Sequence, residues 1–305
     1  MVAPAVPRSI PLSTRIGGFV ALTKPRIIEL LLVTTVPTMI VANNGVPSLW
    51  LIFATVFGGT LAAGGANATN MYVDRDIDAV MNRTQDRPLV NGLMTPNAAL
   101  TFAVSIEAVA FVWLTLTVNL LSAVLALTAT LIYVFIYTLW LKRTSRQNIV
   151  IGGIAGCMPV LIGYSSVTNS LSQTFAVAPL ALFALMFFWT PPHFWALAVK
   201  YKDDYSAVDV PMLPVVASMR ETTTQMLVYT VAVVASSLVF GWAAEMGVVF
   251  WSVTVVSGAV FIWYAVQVLR TESPAKAIKM FAFSISYVTL VFASMAIDVI
   301  VRQGW

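Results

Sequence analysis

Nine stretches of this chain are apolar over nearly the length a helix needs to cross a bilayer: residues 26–43, 49–71, 98–118, 120–141, 148–168, 174–199, 223–243, 247–269 and 280–301. In hydrocarbon every backbone polar group must find its partner inside the protein, which leaves helices and closed barrels, and runs of about 20 apolar residues are helices. With 59% hydrophobic and 10% charged residues, the chain lacks the charged surface of a soluble domain. The sequence therefore predicts an all-α integral membrane protein, a nine-helix transmembrane bundle whose first partner is the lipid bilayer.

Two breaks between spans are weak, the one at Asn119 and the short "AEMG" at 244–247, so the count needs an independent test. Charge supplies it, because Lys and Arg collect on the cytoplasmic side of a correctly divided chain. Arg8, Arg15, Lys24 and Arg26 precede or open the first span. Arg75, Arg83 and Arg87, then Lys142, Arg143 and Arg146, then Lys200, Lys202 and Arg220, then Arg270, Lys276 and Lys279 fall in the connections after spans two, four, six and eight. That places 16 of the 17 basic residues on one face, Arg302 being the exception, and merging any two spans destroys the separation. The expected topology is a multi-pass plasma-membrane protein with its amino terminus and its chemistry at the cytoplasmic end and its carboxyl terminus outside. Residues 1–15, with three prolines and no long apolar run, read as a flexible cytoplasmic tail, and 16–305 as a single transmembrane domain. Nothing in the net charge of +4 points to nucleic acid once the basic residues are assigned to one membrane face.

One cysteine, Cys157, and one histidine, His193, exclude a disulfide framework, a thiolate cluster and a multi-histidine metal site. A metal must then use oxygen ligands. The stretch "NATNMYVDRDIDAVMNRTQDRPL", residues 67–89, provides them directly after a span. Asn70, Asp74 and Asp78 are four apart, so on one helix each is turned about 40° and raised about 6 Å from the last, forming a row of oxygens. Gly58, Ala62 and Ala66 continue that row upstream as a close-packing stripe. Such a set suits Mg²⁺, which shares its shell with water and phosphate, and Arg83 and Arg87 can fork onto phosphate oxygens. Asp76 points away from the row.

A second acidic connection follows span six, in "FFWTPPHFWALAVKYKDDYSAVDVPMLPV", residues 187–215. Helical spacing puts His193, Lys200 and Asp204 within about 20° of one line, with Asp203 off it. Pro191 and Pro192 are expected to break the helix beside His193 and free backbone carbonyls, as happens where a membrane helix is buried in protein or lines a cavity. Lys142, with Arg143 beside it, is the basic residue of span four best placed to reach the same region, and Asn148, Gly152 and Gly156 suggest close packing of span five. Glu29 and Glu107 lie within spans, where an acid is a functional candidate by default; Glu29, near the cytoplasmic end, reads as a local ion pair with Arg26, and Glu107, closer to mid-membrane, is left without a role.

These motifs match a known family. The stretch at 67–89 resembles the first aspartate-rich motif, N-x-x-x-D-x-x-x-D, of the intramembrane aromatic prenyltransferase superfamily. "KPRI" at 24–27, "YTLWLKR" at 137–143, "NIVIGGIAG" at 148–156, "PPHFWALA" at 191–198 and "DVPMLPV" at 209–215 are similar to its protoheme-farnesylating branch, from about residue 16 to the end. The resemblance implies nine helices around a central cavity open to the cytoplasm. It implies transfer of a farnesyl group from farnesyl diphosphate to a vinyl group of heme B, with addition of water, giving heme O. Asn70, Asp74, Asp78 and Asp204 are then candidate Mg²⁺ ligands. Asn70, Arg83, Arg87, Lys142, Arg143 and Lys200 are candidates for the diphosphate, and Asp74, Asp78, Lys142, Lys200 and Asp204 for catalysis. His193 is the candidate heme contact, through iron or a propionate. A heme A synthase or terminal oxidase assembly is the implied downstream partner. One departure stands out: where much of the superfamily has a second D-x-x-x-D motif, the position four before Asp204 is Lys200. Two other readings share these features, a prenyltransferase acting on a quinone precursor and a cation-coupled transporter with acidic residues on two related helices.

Overall fold

The computed structural model describes residues 11–303, without the side chains of 26–32. All of its regular elements are helices. α1 is Leu12–Leu22 and α2 is Pro25–Asn43. Eight further helices are long and apolar enough to cross a membrane: α3 (Leu49–Val73), α4 (Pro96–Thr117), α5 (Leu120–Thr144), α6 (Asn148–Thr168), α7 (Val177–Lys200), α8 (Met219–Ala243), α9 (Val248–Thr271) and α10 (Pro274–Gln303). α2 occupies the place of the first expected span, and its Val33–Asn43 portion is apolar. The expected boundary between tail and domain at residue 15 falls inside α1. Glu29 lies outside the described side chains.

The weak breaks are real helix boundaries with local causes. Asn119 accepts a hydrogen bond from the Ser122 amide at 2.8 Å and so starts α5, while its own amide donates to the Ser165 carbonyl of α6. Thr95 caps α4, with Pro96 as its first residue, and Ser218 caps α8. The "AEMG" break is locked by Asp298 of α10, whose carboxylate accepts from the amides of Gly247 (2.6 Å), Val249 (3.2 Å) and Phe250 (3.3 Å) at the start of α9. Arg302 completes this lock, donating to Asp298 at 2.9 Å and to the Glu245 carbonyl. Arg302, the exception to the expected charge separation, thus serves a fixed carboxylate.

α3 packs along α4, α2 along α6 and α10, and α7 against α6, α8 and α10. Small residues set the closest approaches. A Cβ at Gly58 would lie 2.5 Å from Leu114 of α4, and one at Gly163 would lie 2.9 Å from the Thr35 carbonyl of α2. In α6 the close contacts fall at Gly152, under the Tyr137 ring, and at Gly153, against Thr190, whereas Gly156 meets open space, so the expected small-residue row does not continue to it. The ends of α3, α5 and α7 and the starts of α2 and α8 come together through Lys24–Asn70, Arg143–Asp76, Asn82–Asp204 and Arg146–Glu221 contacts. The acidic connections thus share one end of the bundle, and the Asp298 lock marks the other.

Candidate active site

α3 ends at Val73, and Asp74 is its C-cap, at φ −83° and ψ 3°; a short turn, Arg75–Asp78, follows. The three-residue row is therefore not on one uninterrupted helix, as its spacing predicted. Its lower part survives because the Asp74 amide still bonds the Asn70 carbonyl (2.9 Å) and the Asp78 amide the Asp74 carbonyl (2.9 Å). Asn70, Asp74 and Asp78 are all buried.

Each faces a basic side chain. The Asn70 side-chain amide donates to Asp74 Oδ2 at 2.7 Å and to the Thr138 hydroxyl at 3.1 Å, while its Oδ1 accepts from Lys24 Nζ at 2.8 Å. Lys142 is ion-paired with Asp74 and Arg87 with Asp78. Asp74 Oδ1 is enclosed without a hydrogen-bond partner and lies 3.8 Å from the Arg143 guanidinium. Two carboxylates with almost no exposed surface are tolerable only because cations and an amide stand against them. Arg143 itself forks onto Asp76, with both contacts at 2.7 Å, and these hydrogen bonds hold the Asp76 carboxyl down to about 2. Asp76 accordingly faces outward, away from the row.

Lys24 entered the sequence reading only as a basic residue and as the first of the "KPRI" motif, with no role at the site. It sits in the left-handed region, at φ 52° and ψ 62°, just before Pro25, and this turn aims its side chain at Asn70. Enclosure pulls its ammonium down to about 7, with Arg87 and Lys142 nearby adding to the effect. The preceding carbonyl, of Thr23, accepts from the Asn67 amide at 3.0 Å, so the "KPRI" turn is tied to the acidic stretch twice.

Lys142 reaches Asp74 from an unusual stretch of backbone. Residues Ile132–Leu141 of α5 form a π-helix, longer than the single-turn bulges in which this geometry mostly occurs, and often at functional sites. The Thr138 hydroxyl donates five residues back to the Tyr133 carbonyl (2.8 Å), and the rings of Tyr133 and Tyr137 stack 5.5 Å apart. Only the motif "YTLWLKR" drew attention to this segment in advance.

The second acidic stretch departs from its expected geometry. α7 continues through Pro191 and Pro192 to Lys200 without a break; the prolines remove only the bonds that their missing N–H groups would have made. The helix stops instead at Tyr201, and Lys202–Ser206 is a separate turn, so His193, Lys200 and Asp204 do not form one line. Asp204 accepts from Asn82 at 3.1 Å and is not gathered with Asp74 and Asp78. Lys200 is exposed and rests over the Tyr201 ring. Arg83 lies over the rings of Tyr201 and Tyr205 and within 3.4 Å of the Tyr205 hydroxyl, whose own burial pushes its ionisation upward. Arg83 and Asp204 thus join the two connections above the buried row. His193 lies deeper in α7, stacked between Trp189 and Phe281. Glu107 packs against Gly65 and meets the Thr130 hydroxyl, with its Oε2 enclosed and unpartnered.

Among the described residues no group of three carboxylate, imidazole or thiolate side chains is placed to hold a metal. The buried end therefore offers two carboxylates, an amide oxygen and a ring of cations, a set suited to a polyanion together with a hard cation.

The chain is similar to known proteins along nearly its whole length. A profile of the UbiA prenyltransferase family matches residues 31–288. A protein of Streptomyces avermitilis named protoheme IX farnesyltransferase is 50% identical over 298 residues, covering 96% of both chains. One of the same name from Frankia casuarinae is 51% identical over 294 residues, covering 95% of this chain and all of that one. Among solved structures, a digeranylgeranylglyceryl phosphate synthase superposes with a TM-score of 0.77 at 15% identity, over 94% of this chain and 99% of that one. A UbiA homolog from Archaeoglobus fulgidus bound to GPP and Mg²⁺ gives 0.59 at 15% identity, over 91% and 99%.

Proposed function

The chain belongs to the UbiA prenyltransferase family, and from that membership and its buried Asp74 cluster we infer that it transfers farnesyl from farnesyl diphosphate to a vinyl group of protoheme IX, with addition of water, giving heme O. The observation that carries the diphosphate part is the enclosed set of Asn70, Asp74 and Asp78, each already facing a basic group.

Mg²⁺ fits this set. Asp74 Oδ1 is a buried anionic oxygen with no hydrogen-bond donor, and Asn70 Oδ1 and Asp78 add hard oxygens; with only two carboxylates the remaining positions fall to water and phosphate, as this ion prefers. The Archaeoglobus fulgidus UbiA homolog whose structure holds GPP and Mg²⁺ supports the same choice. Asn70, Asp74 and Asp78 would hold the ion; when bound it withdraws charge from the diphosphate leaving group. Asp204, turned toward Asn82, is at most a ligand recruited from the neighbouring connection.

Breaking the bond between farnesyl C1 and oxygen leaves negative charge on the diphosphate and an allylic cation on the chain. Lys24, Lys142 and Arg87, packed against the row, neutralise the first, with Arg83, Arg143 and Lys200 nearer the aqueous end. The cation survives where water is excluded, and the stacked Tyr133 and Tyr137 rings beside Thr138 offer π faces to it. The terminal vinyl carbon bonds to C1, water adds to the neighbouring carbon, and one proton leaves. In this reading the site end of the bundle is cytoplasmic, because 16 of 17 basic residues belong to it.

Acceptor choice is tested by supplying labelled farnesyl diphosphate with heme B and 4-hydroxybenzoate together. Label on the porphyrin alone is expected. Label on the benzoate alone would transfer the assignment to a quinone-precursor enzyme.

A further inference from the structure

His193 is held in a way that decides which heme contact it makes. Its Nδ1 lies 2.7 Å from the hydroxyl of Ser284, a fully buried residue of α10. That hydroxyl also lies 2.6 Å from the Phe281 carbonyl, three residues back. A hydroxyl has one proton, and a carbonyl can only accept. Both short contacts are satisfied together in one arrangement: Ser284 donates to Phe281, and His193 Nδ1–H donates to Ser284. The reverse arrangement leaves two acceptor oxygens facing each other at 2.6 Å. The imidazole is thereby set with its proton on Nδ1 and its lone pair on Nε2. No hydrogen bond engages Nε2 among the described residues, and the residue keeps 8% of its surface accessible.

The ring has little freedom to leave this pose. Trp189 stacks on one face at 4.1 Å and Phe281 on the other at 4.5 Å, with Phe194 edge-on at 5.2 Å. The Ser284 carbonyl accepts from the Trp189 indole at 2.8 Å, so one residue of α10 orients two of the three stacked rings.

Building on the reading that heme is the acceptor, we infer that Ser284 is a positioning residue that presents His193 Nε2 as a ligand to the substrate's iron. An Nε2 lone pair can coordinate iron, whereas it has no proton to offer a propionate, and a carboxylate there would meet a second acceptor. The pattern is that of metal-binding histidines, whose far nitrogen is fixed by a hydrogen bond from the ring to an acceptor in the surrounding shell.

His193 is the only histidine in the chain, which makes the test direct. Full-length protein carrying ¹⁵N-histidine and no histidine tag, in lipid nanodiscs, should show one imidazole protonated at Nδ1 and bare at Nε2. Ser284→Ala should shift it to the other tautomer or to a mixture, and Ser284→Thr, which keeps the hydroxyl, should restore it. With ferric heme B, wild type should give a histidine-ligated spectrum that His193→Ala abolishes. Ser284→Ala should weaken heme binding by about tenfold, with metal-free protoporphyrin IX binding and the KM for farnesyl diphosphate unchanged. An Nε2-protonated wild type, or a Ser284→Ala imidazole identical to wild type, overturns the role of Ser284. Equal loss of metal-free porphyrin binding overturns the iron assignment. Failure of the heme reading itself looks different: the tautomer signature stands, wild type binds no heme, and the iron part of the inference falls.

Discussion

Asp74 has no exposed surface, so whether it is charged depends on what touches it, and Lys142 is the group in closest contact. A buried pair of this kind penalises removal of one partner far more than removal of both. Asp74→Asn and Lys142→Met are each expected to lower stability by about 3 kcal/mol or more, while the double variant recovers most of the loss. Unfolding in detergent measures this. Turnover should fall at least about 100-fold in all three, because the diphosphate loses its partners either way. Asp76 provides the contrast. It is 60% exposed, and Asp76→Ala should cost no more than about 1 kcal/mol and leave turnover near wild type. Since its folded-state pKa lies below its ordinary 3.8, near 2, the pair's contribution is complete above about pH 4 and lost as pH falls toward 2, so near neutral pH it makes stability neither rise nor fall with pH. The residues legible in the sequence, Asn70, Asp74, Asp78 and Lys142, were so because their spacing or charge is local. The role of Lys24 was not: "KPRI" marked its turn, but it meets Asn70 from 46 residues away through a left-handed backbone conformation.

The π-helical part of α5 puts Lys142 on the side of Asp74, and an α-helix of the same sequence would not. Deleting Leu139, which is half-exposed within that stretch, shortens the wide winding by one residue and changes the direction in which Lys142 leaves it. The expected result is an inactive protein with helical content unchanged; full activity would show that the π stretch does not set the site. At the opposite end, Asp298→Ala removes three amide contacts and the partner of Arg302. It should lower stability by about 2–3 kcal/mol while the folded fraction keeps its turnover, since the lock is remote from the Asp74 cluster. The span starts expected at 49 and 120 coincide with helix starts capped by Ser48 and Asn119, whereas those expected at 98 and 223 fall inside helices that begin at Pro96 and Met219 behind the caps Thr95 and Ser218. The ends near the site were misjudged. Pro191 and Pro192 stay helical under packing from α6, α8 and α10, and Asp74 and Tyr201 end their helices without any proline or glycine.

Across the molecule, the separation of basic residues organised the reading of the chain, and among the described residues the contacts follow it: Lys24, Arg87, Lys142, Arg143, Arg146 and Arg220 pair at the end that holds Asp74, and Arg302 pairs at the other. Long-range charge placement was legible because the bilayer imposes it on every connection at once. Pairings between connections, such as Asn82 with Asp204, were not, because two loops of undefined shape must first be folded beside each other. Both kinds of information converge on one reaction. The most direct test is to incubate purified protein with heme B and farnesyl diphosphate, with Mg²⁺ or with excess chelator, and to weigh the porphyrin. Wild type with Mg²⁺ should yield heme carrying one farnesyl and one water, with the product absent under chelation and absent in Asp74→Asn. Unmodified heme from folded wild type, or undiminished product from Asp74→Asn, would contradict the account.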